Sequence, residues 1–191
     1  MNAAARAHRI LADPAAEWAK IVEESGDAAY LLTGYVALLA LVPAVSGFVG
    51  ACIVGVVLSG RDAVRAPVFD GLFGAVFGYV LSCAIVLVLG LLIDALAPVF
   101  GGRRNFDSAF KLAVYSYTPV WLTGIFLLAP GLRFLGLLGL YGVYLLSVGL
   151  MPMMKTPASK VPAYTSVIAV SACVLTAAVA AIQHALFGLA F

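Results

Sequence analysis

Charge is what this chain most lacks. Only 10% of its 191 residues are Asp, Glu, Lys or Arg, against 64% hydrophobic residues, where a soluble domain carries about 25% charged residues. A net charge of +2, with no basic arm or aromatic-basic platform, points to no nucleic acid. Cysteine is scarce. Cys52, Cys83 and Cys173 lie in apolar surroundings with no CxxC spacing, so they read as small packing residues rather than a disulfide framework. His8 and His184 stand far apart, without clustered Cys or Glu, so no metal site is expected. GxxxxGK[ST] is absent, so no nucleotide is expected. Ser147 has no glycine two residues before it and no tie to His184, which leaves nucleophilic catalysis without a constellation. No cofactor and no enzyme activity are expected.

What the chain does have is long apolar runs. Five of them, Tyr30–Leu58, Phe69–Leu92, Ala109–Ala129, Phe134–Leu150 and Tyr164–Phe187, are each near or above the roughly 20 residues a helix needs to cross about 30 Å of hydrocarbon. Lipid offers no hydrogen bonds to the backbone, so each run should be a helix. The expected fold is all-α: an integral membrane bundle of five transmembrane helices over residues 30–191, with a polar head over residues 1–29. That head holds Asp13, Glu17, Glu23, Glu24 and Asp27 and no continuous apolar segment, so a secretory signal peptide is not expected.

The head carries its own helix signals. Asp13 suits an N-cap and Pro14 the first helical position, with Glu17 near the positive dipole end. Ala3–Leu11 can add a turn or two of helix before it. Ala15, Trp18, Ala19, Ile21 and Val22 form one apolar face, and Gly26 should end the helix. Such a helix either lies in the interface with Trp18 at headgroup depth or packs on the ends of the bundle.

Small residues recur at helical spacing. Gly47, Ala51 and Gly55 share one face of the first span; Gly71, Gly74 and Gly78 share one of the second. This spacing lets helix backbones approach in lipid, so the two spans should pack tightly through the loop Ser59–Val68; a glycine-lined pore is the other reading. Pro43 should kink the first span near Leu39–Val42. Pro130-Gly131 should turn the third span into the fourth.

Polar groups inside the spans are few. Asp70 suits a helix cap. Asp94 lies near Arg103, Arg104 and Lys111, as a fastener or as part of an ion path. In Lys111-Leu-Ala-Val-Tyr-Ser-Tyr-Thr-Pro119, Pro119 frees the Tyr115 carbonyl, and Tyr115 and Thr118 fall on nearly one face. Tyr141 and Tyr144, one turn apart on the fourth span, can face them. Asp94, Tyr115, Thr118, Pro119, Tyr141 and Tyr144 thus form a candidate polar-aromatic seam, either static or lining a cavity.

Charge sets the expected orientation. Arg6, Arg9, Lys20, Arg103, Arg104, Lys111, Lys155 and Lys160 fall on one side; Arg61, Arg65 and Arg133 fall on the other. That asymmetry favours a cytoplasmic N-terminus and a C-terminus outside.

The run Ala113-Val-Tyr-Ser-Tyr-Thr-Pro119, then Pro130, Tyr141, Tyr144 and Leu146-Ser-Val-Gly-Leu150, resembles the core of the Yip family, the Ypt/Rab-interacting membrane proteins. Gly101-Gly102 followed by Phe106, Ala109 and Phe110, and Asp13-Pro14 with Trp18, fit as well. The resemblance covers nearly the whole chain and looks like a bacterial member. It implies a five-helix membrane bundle with a cytoplasmic N-terminus, self-association or assembly with other membrane proteins, and an inner-membrane location. Eukaryotic members work with Rab GTPases through a longer cytosolic domain that this short head does not match, so a Rab-type GTPase is not an expected partner. The expected role is a non-enzymatic one, organising membrane components through helix–helix association. The second reading is a small-solute or ion transporter that uses the seam.

Overall fold

The computed structural model describes residues 2–24, 28–55 and 65–187, and for Pro130 the backbone alone. Gly26, most of the loop Ser59–Val68 with Arg61, and the end of the chain at Phe191 lie outside the described residues. Helix α1 (Ala3–Ala12) and helix α2 (Pro14–Glu23) form the head. Five helical rods follow. Span one runs Ala28–Val54, span two Val68–Leu96, and span three Phe106–Thr123, continued by a 3₁₀ segment Gly124–Leu128. Span four comprises Pro130–Leu140 and Tyr141–Met154, and span five is Val161–Phe187. No strand occurs among the described residues.

Spans one, two, four and five are long and apolar enough to cross a bilayer. Span three differs because Asp107, Lys111 and a run of hydroxyls interrupt its apolar character. Asp107 and Lys111 stand in its first turns, exposed and half-buried, while the rest of the helix is the centre of the bundle: Phe110, Leu112, Val114 and Thr118 are fully buried. The chain is an integral, all-helical membrane protein.

Close approaches of backbone explain much of the glycine usage. A Cβ on Gly50 of span one would sit 2.0 Å from the Leu127 carbonyl oxygen of span three. One on Gly124 would sit 2.6 Å from the Cβ of Pro43. Helix continues through Pro43, flanked by π turns at Leu32–Val36 and Val49–Val54. Spans one and two meet where Gly71 faces Cys52 and Phe48. Gly47 and Ala51 are buried on that side of span one. Gly55 ends the span with φ 80°, a conformation that favours glycine. Gly74 and Gly78 of span two turn to span five: the Gln183 side-chain amide donates to the Gly74 carbonyl at 3.0 Å, and Gly78 leaves room for it.

Span four opens in an unusual way. Pro130–Leu140 is 3₁₀ helix, which rises about 2.0 Å per residue, so this stretch covers about 22 Å. Counted from the Pro130 turn, about 30 Å of hydrocarbon is therefore used up near Leu145. That is the level at which the head docks. Trp18 is fully buried and its indole N–H donates to the Leu145 carbonyl at 3.2 Å. Gly149 is bare so that the Trp18 ring fits against span four. The head is thus two helices, and it is packed on the bundle through Trp18. Asp13 caps α2 as its position suggested, accepting from the Ala16 amide at 3.2 Å.

Candidate functional site

The head buries charge against span three. α1 and α2 fold back on each other at Asp13, which brings Arg6 and Arg9 to Glu17. Arg6 Nη1 donates to Glu17 Oε1 at 2.6 Å and Arg9 Nε donates to the same oxygen at 2.9 Å. Arg6 also donates to Glu24. Arg6 and Glu17 are 3% and 2% exposed, so the pairing offsets a large desolvation cost. Burial alone would raise the Glu17 carboxyl. The Arg9 hydrogen bond and the charges of Arg6 and Arg9 outweigh it and hold the group below its ordinary value. Burial pulls the Arg6 guanidinium down, but the Glu24 hydrogen bond and the neighbouring carboxylates leave it raised overall.

From this cluster an aromatic column runs into the bundle. The Arg6 guanidinium carbon lies 5.9 Å from the Tyr115 ring centroid, a cation–π distance. Tyr115 packs edge-to-face with Trp18 at 6.1 Å and with Tyr35 at 5.1 Å. The Tyr35 and Thr118 hydroxyls share a hydrogen bond of 2.9 Å, and Thr118 also donates to the Val114 carbonyl at 3.4 Å. Pro119 stands one residue on, inside a helix that continues to Thr123.

The seam expected from sequence is therefore divided. Tyr115, Thr118 and Pro119 sit in the core. Tyr141 and Tyr144 pair with each other at 5.4 Å on an exposed ridge, 36% and 52% exposed, and the Tyr141 hydroxyl donates to the Leu11 carbonyl of the head at 3.1 Å. Asp94 is separate again. Arg104 Nη2 and Nε donate to its Oδ2 at 3.0 and 3.2 Å, a fork that ties the end of span two to the loop before span three. The same loop meets the end of span four, where the Arg103 amide donates to the Met154 carbonyl at 2.8 Å, and the connector after it, where Gly101 faces Pro157. Lys111 donates to the Glu24 carbonyl. The head, the Asp94 loop and this connector therefore share one end of the molecule.

Sequence reasoning did not find Arg6, Glu17 and Tyr35. The signal available for the first two was the Asp13-Pro14 break between two short helices, which turns residues eleven apart into neighbours. Among the described residues no group of three His, Cys, Asp or Glu side chains could hold a metal ion. A family model for the Yip1 domain matches residues 9–180. No curated protein and no solved structure matches the chain.

Proposed function

We propose that this chain, which belongs to the Yip1 domain family, organises membrane components by helix–helix association and performs no catalysis. The observation that carries this is span five. Only 11% of its most apolar window is buried within the chain, and its outward face bears Ala163, Val167, Val170, Val174, Ala178, Ala181 and Ala185. Val167, Val170 and Val174 are 42%, 63% and 61% exposed, and the alanines beyond them are exposed too. Alanines at this spacing are what helix pairs use in lipid, where packing rather than the hydrophobic effect drives association, and the valines continue the same stripe. The occupant of that face is a second copy of the chain or another membrane protein.

The shared end with the head, Lys111, Arg104 and Lys155 supports a cytoplasmic N-terminus by the positive-inside tendency, in a bacterial inner membrane. The Tyr35–Thr118–Tyr115 column supports a structural role for the buried seam, because the Tyr35 and Thr118 hydroxyls bond each other and the Tyr35 and Tyr115 rings pack edge-to-face within the chain.

The test is particle mass after extraction into native lipid nanodiscs. A defined oligomer or a stoichiometric protein partner is expected, with loss of that mass in Ala178→Leu and Ala181→Leu. A monomer without a protein partner at every concentration would overturn the reading. Solute flux through proteoliposomes that Tyr115→Phe abolishes would replace it with transport.

A further inference from the structure

Span five leans on span two and leaves a crevice against spans three and four. Two cavities meet there, of about 310 and 390 Å³, each within the roughly 300–1,000 Å³ of ordinary ligand sites; the first extends past span three to Pro43 of span one and to Gly74 and Ser82 of span two. They are neighbours with a common wall: Tyr117, Val120, Gly136, Thr176 and Ala180 line both. At one end the wall holds Thr123, Arg133 and Gln183. At the other it holds Leu89, Ile93, Leu146 and Ile168. From Ile168 to Gln183 the crevice follows span five for about 22 Å. One leaflet of hydrocarbon is about half of 30 Å thick, so the length exceeds that of one leaflet.

Arg133 gives the crevice its polarity. It follows the Pro130-Gly131 turn, at the end of the bundle away from the head. Its Nε is buried without a hydrogen-bond partner among the described residues. Arg133 is half-buried, and a guanidinium nitrogen held at an apolar channel without an acceptor is costly unless an anion completes it. Guanidinium and phosphate match in charge and fork geometry.

We propose that this crevice holds an acyl chain of an anionic glycerophospholipid taken from the surrounding bilayer, with its phosphate on Arg133. The chain lies between span five and spans three and four, and its far end reaches the Leu89–Ile168 wall. Small residues on the inward side of span five, Ala169, Ala172 and Ala180, keep the channel open. This is a different face of span five from the one proposed for association, so the two readings stand or fall separately.

Trp121 reports on occupancy. It is one of two tryptophans in the chain, it lines the cavity, and its indole N–H is fixed on Ser82 at 2.8 Å. In a Trp18→Phe background, Trp121 emission is measured in nanodiscs of zwitterionic phosphatidylcholine. Phosphatidylglycerol or phosphatidylcholine with brominated acyl chains is then titrated in. Saturable quenching is expected, with the anionic lipid half-saturating at roughly tenfold lower mole fraction, the worth of one charge-assisted contact. Arg133→Gln should remove the difference between headgroups, and Ala180→Phe should remove the saturable component. Linear quenching that is equal for both lipids, or unchanged by Ala180→Phe, would overturn the site. Native mass spectrometry of the unmodified chain gives an independent reading. A retained anionic phospholipid that Arg133→Gln loses supports the proposal; a lipid-free particle, or one whose crevice is protected only in a dimer, overturns it.

Discussion

Gly142→Ala should destabilise the bundle measurably, although the change adds one methyl. A Cβ at Gly142 would sit 2.3 Å from the Ser116 carbonyl oxygen, where a relaxed carbon–oxygen contact begins near about 3.3 Å. The obstacle is backbone, so no rotamer change relieves it, and spans three and four must part by about 1 Å. Pro119 lies beside the same contact, 4.0 Å from the added carbon, so the neighbouring turn is already constrained. Overpacking of this kind costs about 1–3 kcal/mol, and replacing a helical glycine by alanine returns about 0.5–1 kcal/mol. The net is a loss of up to about 2.5 kcal/mol. For a chain of this size each kcal/mol moves the midpoint by about 2–4 °C, so a fall of up to roughly 10 °C is expected. Tryptophan emission during heating in a mild detergent reads it. Gly131→Ala is the control, since a Cβ there meets nothing within 4 Å, and its midpoint should hold or rise. A Gly142→Ala protein as stable as the Gly131→Ala one would refute the packing argument.

Other expectations follow from the same contacts. Because Glu17 is held below its ordinary value, its contribution to head docking is full above the free carboxylate value of about 4.3. It is lost as pH falls through the lower folded value. Trp18 emission should therefore shift to the red on acidification, and Glu17→Gln should show the loosened head already at neutral pH. Thr118→Val leaves the buried Tyr35 hydroxyl unpaired and should cost about 1–3 kcal/mol, whereas Tyr35→Phe leaves Thr118 its bond to the Val114 carbonyl and should cost less, and adding it to Thr118→Val should recover much of the loss; additive losses in a thermal melt would deny the hydrogen bond. Asp94→Asn keeps the shape but weakens the fork from Arg104, so proteolysis in the 97–105 loop should speed up; an unchanged rate would argue against the fastener role.

The sequence was most legible where physics leaves one solution. Apolar runs of bilayer length must be helices, and Asp13-Pro14 can only begin one. Asp94 had few cations within reach, and Arg104 is one of them. Rotation about a helix axis was not legible. Spans that are apolar all round carry no polarity to say which face turns inward, and Tyr141 and Tyr144 consequently face out. Span four adds a second cause: its first eleven residues are 3₁₀ helix, so spacing counted at 3.6 residues per turn drifts out of phase. Arg6 and Glu17 read as surface charges of a polar head, because only the hairpin at Asp13 buries them. Gly74 and Gly78 were legible as close-packing residues, but their partner is Gln183 of span five.

Association through the outward face of span five is the central claim, and paired cysteine cross-linking in native membranes tests it most directly. In a chain with Cys52, Cys83 and Cys173 replaced by alanine, a single cysteine is placed at Val174 or at Ala169. The account predicts a disulfide-linked species of defined mass, with a second copy or a partner protein, from Val174→Cys and none from Ala169→Cys. Cross-linking that is absent at Val174, or equal at both positions, would contradict it.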